Sequence, residues 1–281
     1  MKRVIVTADS TCDLSPELLA RYGVATAPLY IVKGETSYRD GVDITPKDIF
    51  AYFEESGKVP TTAAVSVADY HAFFSRFVED GCEVVHINIS SGFSSCFQNA
   101  CIVAAELEGV YPVDSLNLST GSGLTVIRAC ELAKEGKTGA EIASELQSYV
   151  QRVEASFVID TLTYLHKGGR CSSVAALGAN LLGLKPCIQV EDGKMHVGKK
   201  YRGKLGDCIL RYVEDRLKGR DDVDKERIFI THSGCSPEVV RSVQKKLEEL
   251  GPFGEVLETV AGCTISNHCG PGTLGILFAK K

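Results

Sequence analysis

The sequence predicts an α/β fold: an N-terminal, mostly parallel sheet flanked by helices, followed by a C-terminal α+β domain with a mixed sheet. Three observations carry this expectation. Short β-branched apolar runs recur at Val4 to Ala8, Val84 to Ile89 and Val110 to Val113, with helical signals between them. The stripe Tyr70, Phe73, Phe74, Phe77 and Val78 falls at helical spacing and marks one broad buried helix face. Beyond about residue 156 the grammar changes, because Lys185 to Val190 and Met195 to Tyr201 are joined only by Glu191-Asp192-Gly193, an antiparallel turn signal. The division expected is therefore residues 1–155 and residues 156–281, packed closely because no Pro/Gly/Ser-rich linker separates them.

Each element has a local reason. After the first strand, Ser15-Pro16-Glu17 reads as an N-cap followed by proline at the first helical position. Val24 to Ile31 is a second strand candidate, and Thr45-Pro46-Lys47-Asp48 caps a helix that places Ile49 and Phe53 on one face. Helices are expected over Gln98 to Leu107, over Gly123 to Lys134, and from the capping box Thr138-Gly139-Ala140-Glu141 through Val150. In the second half, strands at Ile228 to Thr231, Val256 to Val260 and Leu274 to Ala279 alternate with helices at Leu205 to Leu217 and Pro237 to Leu250.

Composition excludes several function classes. With 44% hydrophobic and 24% charged residues over 281 positions, the chain has ordinary globular usage. The net charge of −5 and the lack of a basic run argue against nucleic-acid binding. No apolar stretch reaches the 18 or so residues of a membrane helix, and Asp9 and Asp13 interrupt the start before a signal peptide could form. Eleven scattered cysteines, none in a CxxC pair, suit a reducing compartment, so the expectation is a cytoplasmic protein without an integral membrane segment.

Familiar motifs fail on context. Gly270-Pro271-Gly272-Thr273-Leu274-Gly275 satisfies G-x-G-x-x-G, but too few residues follow for the helix and acidic residue of a dinucleotide site. Gly136-Lys137-Thr138 lacks the upstream glycine of a phosphate loop, since that position is Glu131. Gly92-Phe93-Ser94-Ser95-Cys96 lies between a strand and a helix but lacks the second glycine of a nucleophile elbow. Cys263, His268 and Cys269 form no paired ligand spacing, and their ordinary reading is loop residues or small buried hydrophobes. Neither a metal nor a cofactor is expected.

Hydroxyl-rich loops follow the strands: Asp9-Ser10-Thr11, Thr61-Thr62, Ser90-Ser91 with Ser94-Ser95, and Asp114-Ser115 with Ser119. In open parallel sheets the ligand crevice lies beyond the carboxyl ends of the strands, so these loops are placed to converge on one site. The plainer reading makes each a helix cap. Hydroxyl donors without a local Arg or Lys cluster suit a carboxylate better than a polyphosphate.

Six stretches, in order, resemble the DegV family: Asp9-Ser10-Thr11-Cys12-Asp13-Leu14; Tyr38-Arg39-Asp40-Gly41-Val42-Asp43-Ile44-Thr45; Asp114-Ser115 with Ser119-x-Gly121; Leu165-x-x-Gly168-Gly169-Arg170; Lys185-Pro186; and His268-x-Gly270-Pro271-Gly272-Thr273. The resemblance spans nearly the whole chain. It implies a non-enzymatic bacterial protein that buries a long-chain fatty acid between two domains and presents the carboxylate to a separate fatty acid kinase for acyl-phosphate formation in phospholipid synthesis. Carried over by motif, the carboxylate-binding positions are Thr62, Ser94, Ser95 and His268, with Arg170 facing the kinase. This chain departs from the family at Ala63-Ala64-Val65 and at Ser95-Cys96, where the usual patterns are Thr-Ser-Gln-Pro-Ser and Leu-Ser-Gly-Thr-Tyr. The alternative from the residues themselves is a small-molecule hydrolase or transferase using Ser94 with His268, for which Asp9 or Asp114 would have to orient the imidazole.

Overall fold

The computed structural model describes residues 2–170 and 183–281, so Met1 and Cys171 lie outside the described residues. Along the chain run β1 (Val4–Asp9), α1 (Pro16–Tyr22), β2 (Ala25–Ala27), β3 (Tyr30–Lys33), β4 (Thr36–Arg39), α2 (Pro46–Ser56), β5 (Thr61–Ala63) and α3 (Val67–Glu79). Next come β6 (Glu83–Asn88), α4 (Cys96–Ala104), β7 (Val110–Asp114), α5 (Ser119–Lys134), α6 (Gly139–Tyr149), β8 (Val153–Val158) and α7 (Thr163–Gly168). The remainder is β9 (Leu184–Glu191), β10 (Lys194–Arg202), α8 (Leu205–Leu217), β11 (Val223–Ser233), α9 (Pro237–Glu249), β12 (Glu255–Val260), α10 (Cys263–Cys269) and β13 (Thr273–Lys280).

A parallel sheet has the order β2-β1-β6-β7, with Val6 opposite Val85 and Ile87 opposite Val113. A mixed six-stranded sheet has the order β10-β9-β8-β13-β11-β12, in which only β11 and β12 run parallel. The antiparallel trio β4-β3-β5 stands apart from both. One hydrophobic cluster runs through residues of both larger sheets, among them Val84, Ile87, Phe157 and Leu277, while a second packs α8 and α9 on the mixed sheet. No helix among the described residues is long and apolar enough to cross a membrane.

The local signals read from the sequence operate as expected at several ends. Ser15 accepts the Leu18 N–H, and the capping boxes Thr45/Asp48 and Thr138/Glu141 both form. Asp192 and Gly193 both adopt positive φ, 48° and 73°, the geometry of a two-residue hairpin turn matched to strand twist.

Four differences from the expected elements stand out. The expected strand Val24 to Ile31 is two strands in different sheets, because Pro28 between them lacks an N–H and breaks the ladder. The helix expected at Gln98 to Leu107 starts and ends earlier, at Cys96 and Ala104. The one expected from Gly123 begins at Ser119. Its first turns are Ser-Thr-Gly-Ser, poor helix formers by propensity, yet they are buried where α5 contacts both sheets and only small residues fit. A Cβ at Gly123 would meet the Cys12 carbonyl and the Leu14 side chain, so close approach explains that glycine. Finally, β4, β5, α7 and α10 carry no periodic signal, being three to seven residues long.

On α3, Tyr70 and Phe74 are fully buried and stack with ring centroids 5.3 Å apart, while Phe73 and Phe77 complete the stripe at its edge. Phe74→Ala therefore lowers stability by about 3–5 kcal/mol, the usual cost of removing a fully buried aromatic ring. Urea denaturation checks this as a fall in midpoint at unchanged slope, and a shift below about 1 kcal/mol would show the stripe to be marginal to the core.

Candidate functional site

A narrow cavity of about 50 Å³ opens between the β2–β3 connection, the strand β5, the loop after β6 and the helix α10. Its apolar walls include Leu29, Ile89, Phe93, Leu118, Met195 and Ile265, and its polar groups are Thr62, Ser94, Thr264, His268 and Arg170. A second, smaller cavity of about 20 Å³ shares Leu118, Ile265 and Cys269 as walls and continues toward Phe157, Ala261 and Leu277 on the mixed sheet. The polar groups and the apolar continuation together make a site with one hydrogen-bonding end and one greasy end.

His268 sits on the last turn of α10, a helix of seven residues that is held at its start by carboxylates from far away in sequence. Asp40 accepts the backbone N–H groups of Cys263 and Thr264 at 2.8 and 3.0 Å, and Asp13 accepts that of Gly262 at 2.9 Å. These are the orphan donors of a helix N-terminus, and the carboxyl oxygens satisfy them. Further along, Asn267 donates to the Pro60 carbonyl at 2.9 Å, and the Cys263 thiol donates to the Ile44 carbonyl at 3.1 Å. Cys263, His268 and Cys269 thus lie on a helix, and of the two ordinary readings the structure bears out small buried hydrophobes for both cysteines, not loop residues.

The Thr62 hydroxyl lies 3.0 Å from His268 Nε2. Burial of the ring, with Arg170's positive charge nearby, pushes the His268 pKa down to about 4, so the imidazole is neutral near pH 7. Its Nδ1 is buried without a hydrogen-bond partner among the described residues, against Gly168, where any Cβ would overlap the ring. A buried bare N–H is less tolerable than a bare acceptor, so the proton belongs on Nε2, donated to Thr62 Oγ1. The Thr62 hydroxyl proton is then free to point at a ligand. Ser94 Oγ accepts the Cys96 N–H at 3.3 Å and donates to Cys96 Sγ at 3.2 Å.

Arg170 follows α7, which ends at Gly169 with φ 65°, a left-handed cap that suits glycine. The Arg170 side chain is exposed at the cavity mouth and donates to the Gly168 carbonyl at 2.8 Å. Ser95 does not join the others. It is exposed at the start of α4 and outside the cavity lining, with its carbonyl accepting the Asn99 N–H.

The hydroxyl-rich loops do not converge as a group. Ser90 tethers the hairpin tip by donating to the Gly193 carbonyl at 2.8 Å, Ser115 pairs with Ser122 at 2.9 Å, and Ser119 donates to Asp13 at 2.5 Å. Only Thr62 and Ser94 of that set reach the cavity. Nor does either candidate acid orient His268: Asp9 accepts from His86 Nε2 and the Ile89 N–H, and Asp114 from the N–H groups of Ser91 and Leu116. Sequence reasoning missed Met195, Leu118 and Ile265, which come from three distant elements and carried no signal beyond being apolar.

The comparisons with known proteins agree with this architecture. A family model described as "Uncharacterised protein, DegV family" matches residues 3–281. A DegV domain-containing protein of Clostridium acetobutylicum is 32% identical over 286 residues, covering 100% of both chains. Among solved structures, a DegV family protein from Thermus thermophilus described for its fatty acid binding is similar with a TM-score of 0.89 at 32% identity, covering 99% of this chain and 100% of that one. A stearic acid-binding protein from Eubacterium ventriosum is similar with a TM-score of 0.87 at 27% identity, covering 100% of this chain and 99% of that one. The chain is a mixed α/β protein built around an apolar cavity with a hydroxyl–imidazole end. It belongs to the DegV family.

The depressed His268 pKa has a consequence for stability. Between about pH 4 and the ordinary value near 6.5 the unfolded chain binds more protons at this residue, so its contribution is full above 6.5 and is lost as pH falls toward 4. Asp13 acts oppositely, since burial raises its pKa to about 8 and makes the folded chain the better proton binder. Comparing the lipid-free protein with His268→Gln cancels Asp13, and the wild type should lose stability relative to the variant as pH drops from 6.5 to 4. A difference independent of pH in chemical denaturation would place the ring in solvent.

Proposed function

We propose that this protein binds a long-chain fatty acid and presents its carboxylate to a separate fatty acid kinase, with no chemistry of its own. The observation that carries the reading is the pairing of Thr62 with a neutral, half-buried His268 at the polar end of an apolar cavity. A carboxylate there accepts the Thr62 hydroxyl, polarised by His268 behind it, and the Ser94 hydroxyl turned outward. The acyl chain follows the greasy walls, and displacement of Leu118, Ile265 and Cys269 joins the two cavities into one channel. About 14 buried methylenes supply roughly 11 kcal/mol before ordering costs, so the tail dominates affinity and the head group sets orientation. The cavity walls come from both sides of the division at about residue 155, which supports a binding site between two domains. The DegV relatives described as binding fatty acids support the ligand class, and Arg170 at the mouth supports the presenting role.

A hydrolase or transferase centred on Ser94 and His268 has less support, because His268 is engaged by Thr62 and Ser94 by Cys96.

Protein purified from a bacterial host should release long-chain fatty acid on denaturation, detected by mass spectrometry of the extract. Thr62→Ala and His268→Ala should each weaken palmitate binding by about 1–3 kcal/mol, as for a lost bond to a charged group. Lipid-free protein that also refuses added palmitate and oleate would disprove the reading.

Arg170→Ala separates presentation from binding. Fatty-acid affinity should hold, while acyl-phosphate formation in a mixture with fatty acid kinase and ATP falls roughly thirtyfold, the effect of losing about 2 kcal/mol at an interface. Loss of lipid binding in this variant would instead assign Arg170 to the head group.

A further inference from the structure

The Ser94 hydroxyl faces the cavity, yet both of its hydrogen bonds run inward to one residue. Its oxygen accepts the Cys96 N–H at 3.3 Å, and its proton goes to Cys96 Sγ at 3.2 Å. Cys96 is fully buried at the start of α4, with its sulfur near the Tyr70 hydroxyl. Burial pushes this thiol up to about 12, with the Asp9 charge adding to it, so the proton stays on sulfur. The Tyr70 hydroxyl in turn donates to Asp9, and its oxygen accepts Asn88 Nδ2 at 3.0 Å. Asp9 is anchored by His86 Nε2 at 3.1 Å and the Ile89 N–H at 2.9 Å. The Tyr70 proton is committed to Asp9 and does not compete with Ser94 for the sulfur. The Ser94 hydroxyl proton therefore points away from the cavity, toward a buried sulfur.

Holding a carboxylate requires Ser94 to turn its proton away from Cys96 Sγ. A thiol sulfur is a weak acceptor, whereas a bond to a carboxylate is about twice as strong as a neutral one, so the exchange favours the ligand. We propose that Cys96 is the positioning residue for the Ser94 hydroxyl: its N–H holds the oxygen in place, and its sulfur keeps the proton where a ligand carboxylate can withdraw it. For its ligand the inference rests on the fatty-acid reading; for the Ser94–Cys96 pair itself it does not.

The test uses the S–H stretching band in the infrared. Eleven thiols contribute there, and the Cys96 band is isolated as the difference between wild type and Cys96→Ser. In delipidated protein, Ser94→Ala should move that band, because the sulfur no longer accepts a hydrogen bond. Palmitate added to the wild type should move it in the same direction. Palmitate affinity should rise about threefold to tenfold in Cys96→Ala, because the neutral hydrogen bond that Ser94 breaks on binding is already gone, and return toward the wild-type value in Cys96→Ser. A band unmoved by Ser94→Ala overturns the proposal. So does a band unmoved in wild type shown by mass spectrometry to hold palmitate. A band moved by Ser94→Ala in a protein that takes no palmitate upholds the role of Cys96 and overturns the fatty-acid reading.

Discussion

Two carboxylates, Asp13 and Asp40, grip the first turn of α10, and the geometry of the cavity follows from that grip. A seven-residue helix is too short to persist on its own, since nucleation is unfavourable and few bonds follow to offset it. Here three consecutive backbone N–H groups, from Gly262 to Thr264, are each taken by a carboxylate oxygen contributed from the first 40 residues. The segment is therefore held by the opposite end of the chain. Because Thr264, Ile265, His268 and Cys269 all line the cavity, this one anchorage sets a large part of its wall.

The same junction concentrates backbone strain. Asp13, Leu116 and Ser119 adopt positive φ near 50°, a conformation that costs non-glycine residues free energy and persists only where surrounding structure imposes it. Asp13 and Ser119 hydrogen-bond each other, and Leu118 between the other two is a cavity wall. The strain is offset by tight packing of α5, whose small residues allow it to lie against elements of both larger sheets.

Electrostatically the cavity is restrained. Its imidazole is neutral, and the cation at its mouth is exposed, so the polar end offers hydrogen-bond donors without a strong buried charge. A carboxylate entering such a place gains directional bonds, while the apolar walls favour whatever hydrocarbon follows it. Ser94 and Thr62 differ in what stands behind them, a thiol in one case and an imidazole in the other.

What the sequence determined alone was what depends on neighbours in the chain. Capping residues such as Ser15, Thr45 and Thr138, the Asp192-Gly193 turn and the 3.6-residue stripe on α3 act over a few positions, so they could be read directly, and with them the α/β class. The motif likeness singled out Thr62, Ser94, His268 and Arg170, all of which line the cavity, and also Ser95, which does not. Only the tertiary structure could show why Asp13 and Asp40 stand in their motifs, since their partners lie more than 200 residues away. It alone gathered Leu118, Met195 and Ile265 into one wall, split Val24 to Ile31 between two sheets, and made a helix of residues 119–122 and 263–269. In each case burial and long-range hydrogen bonds outweighed a weak local preference, and neither quantity is a property of a local stretch of sequence.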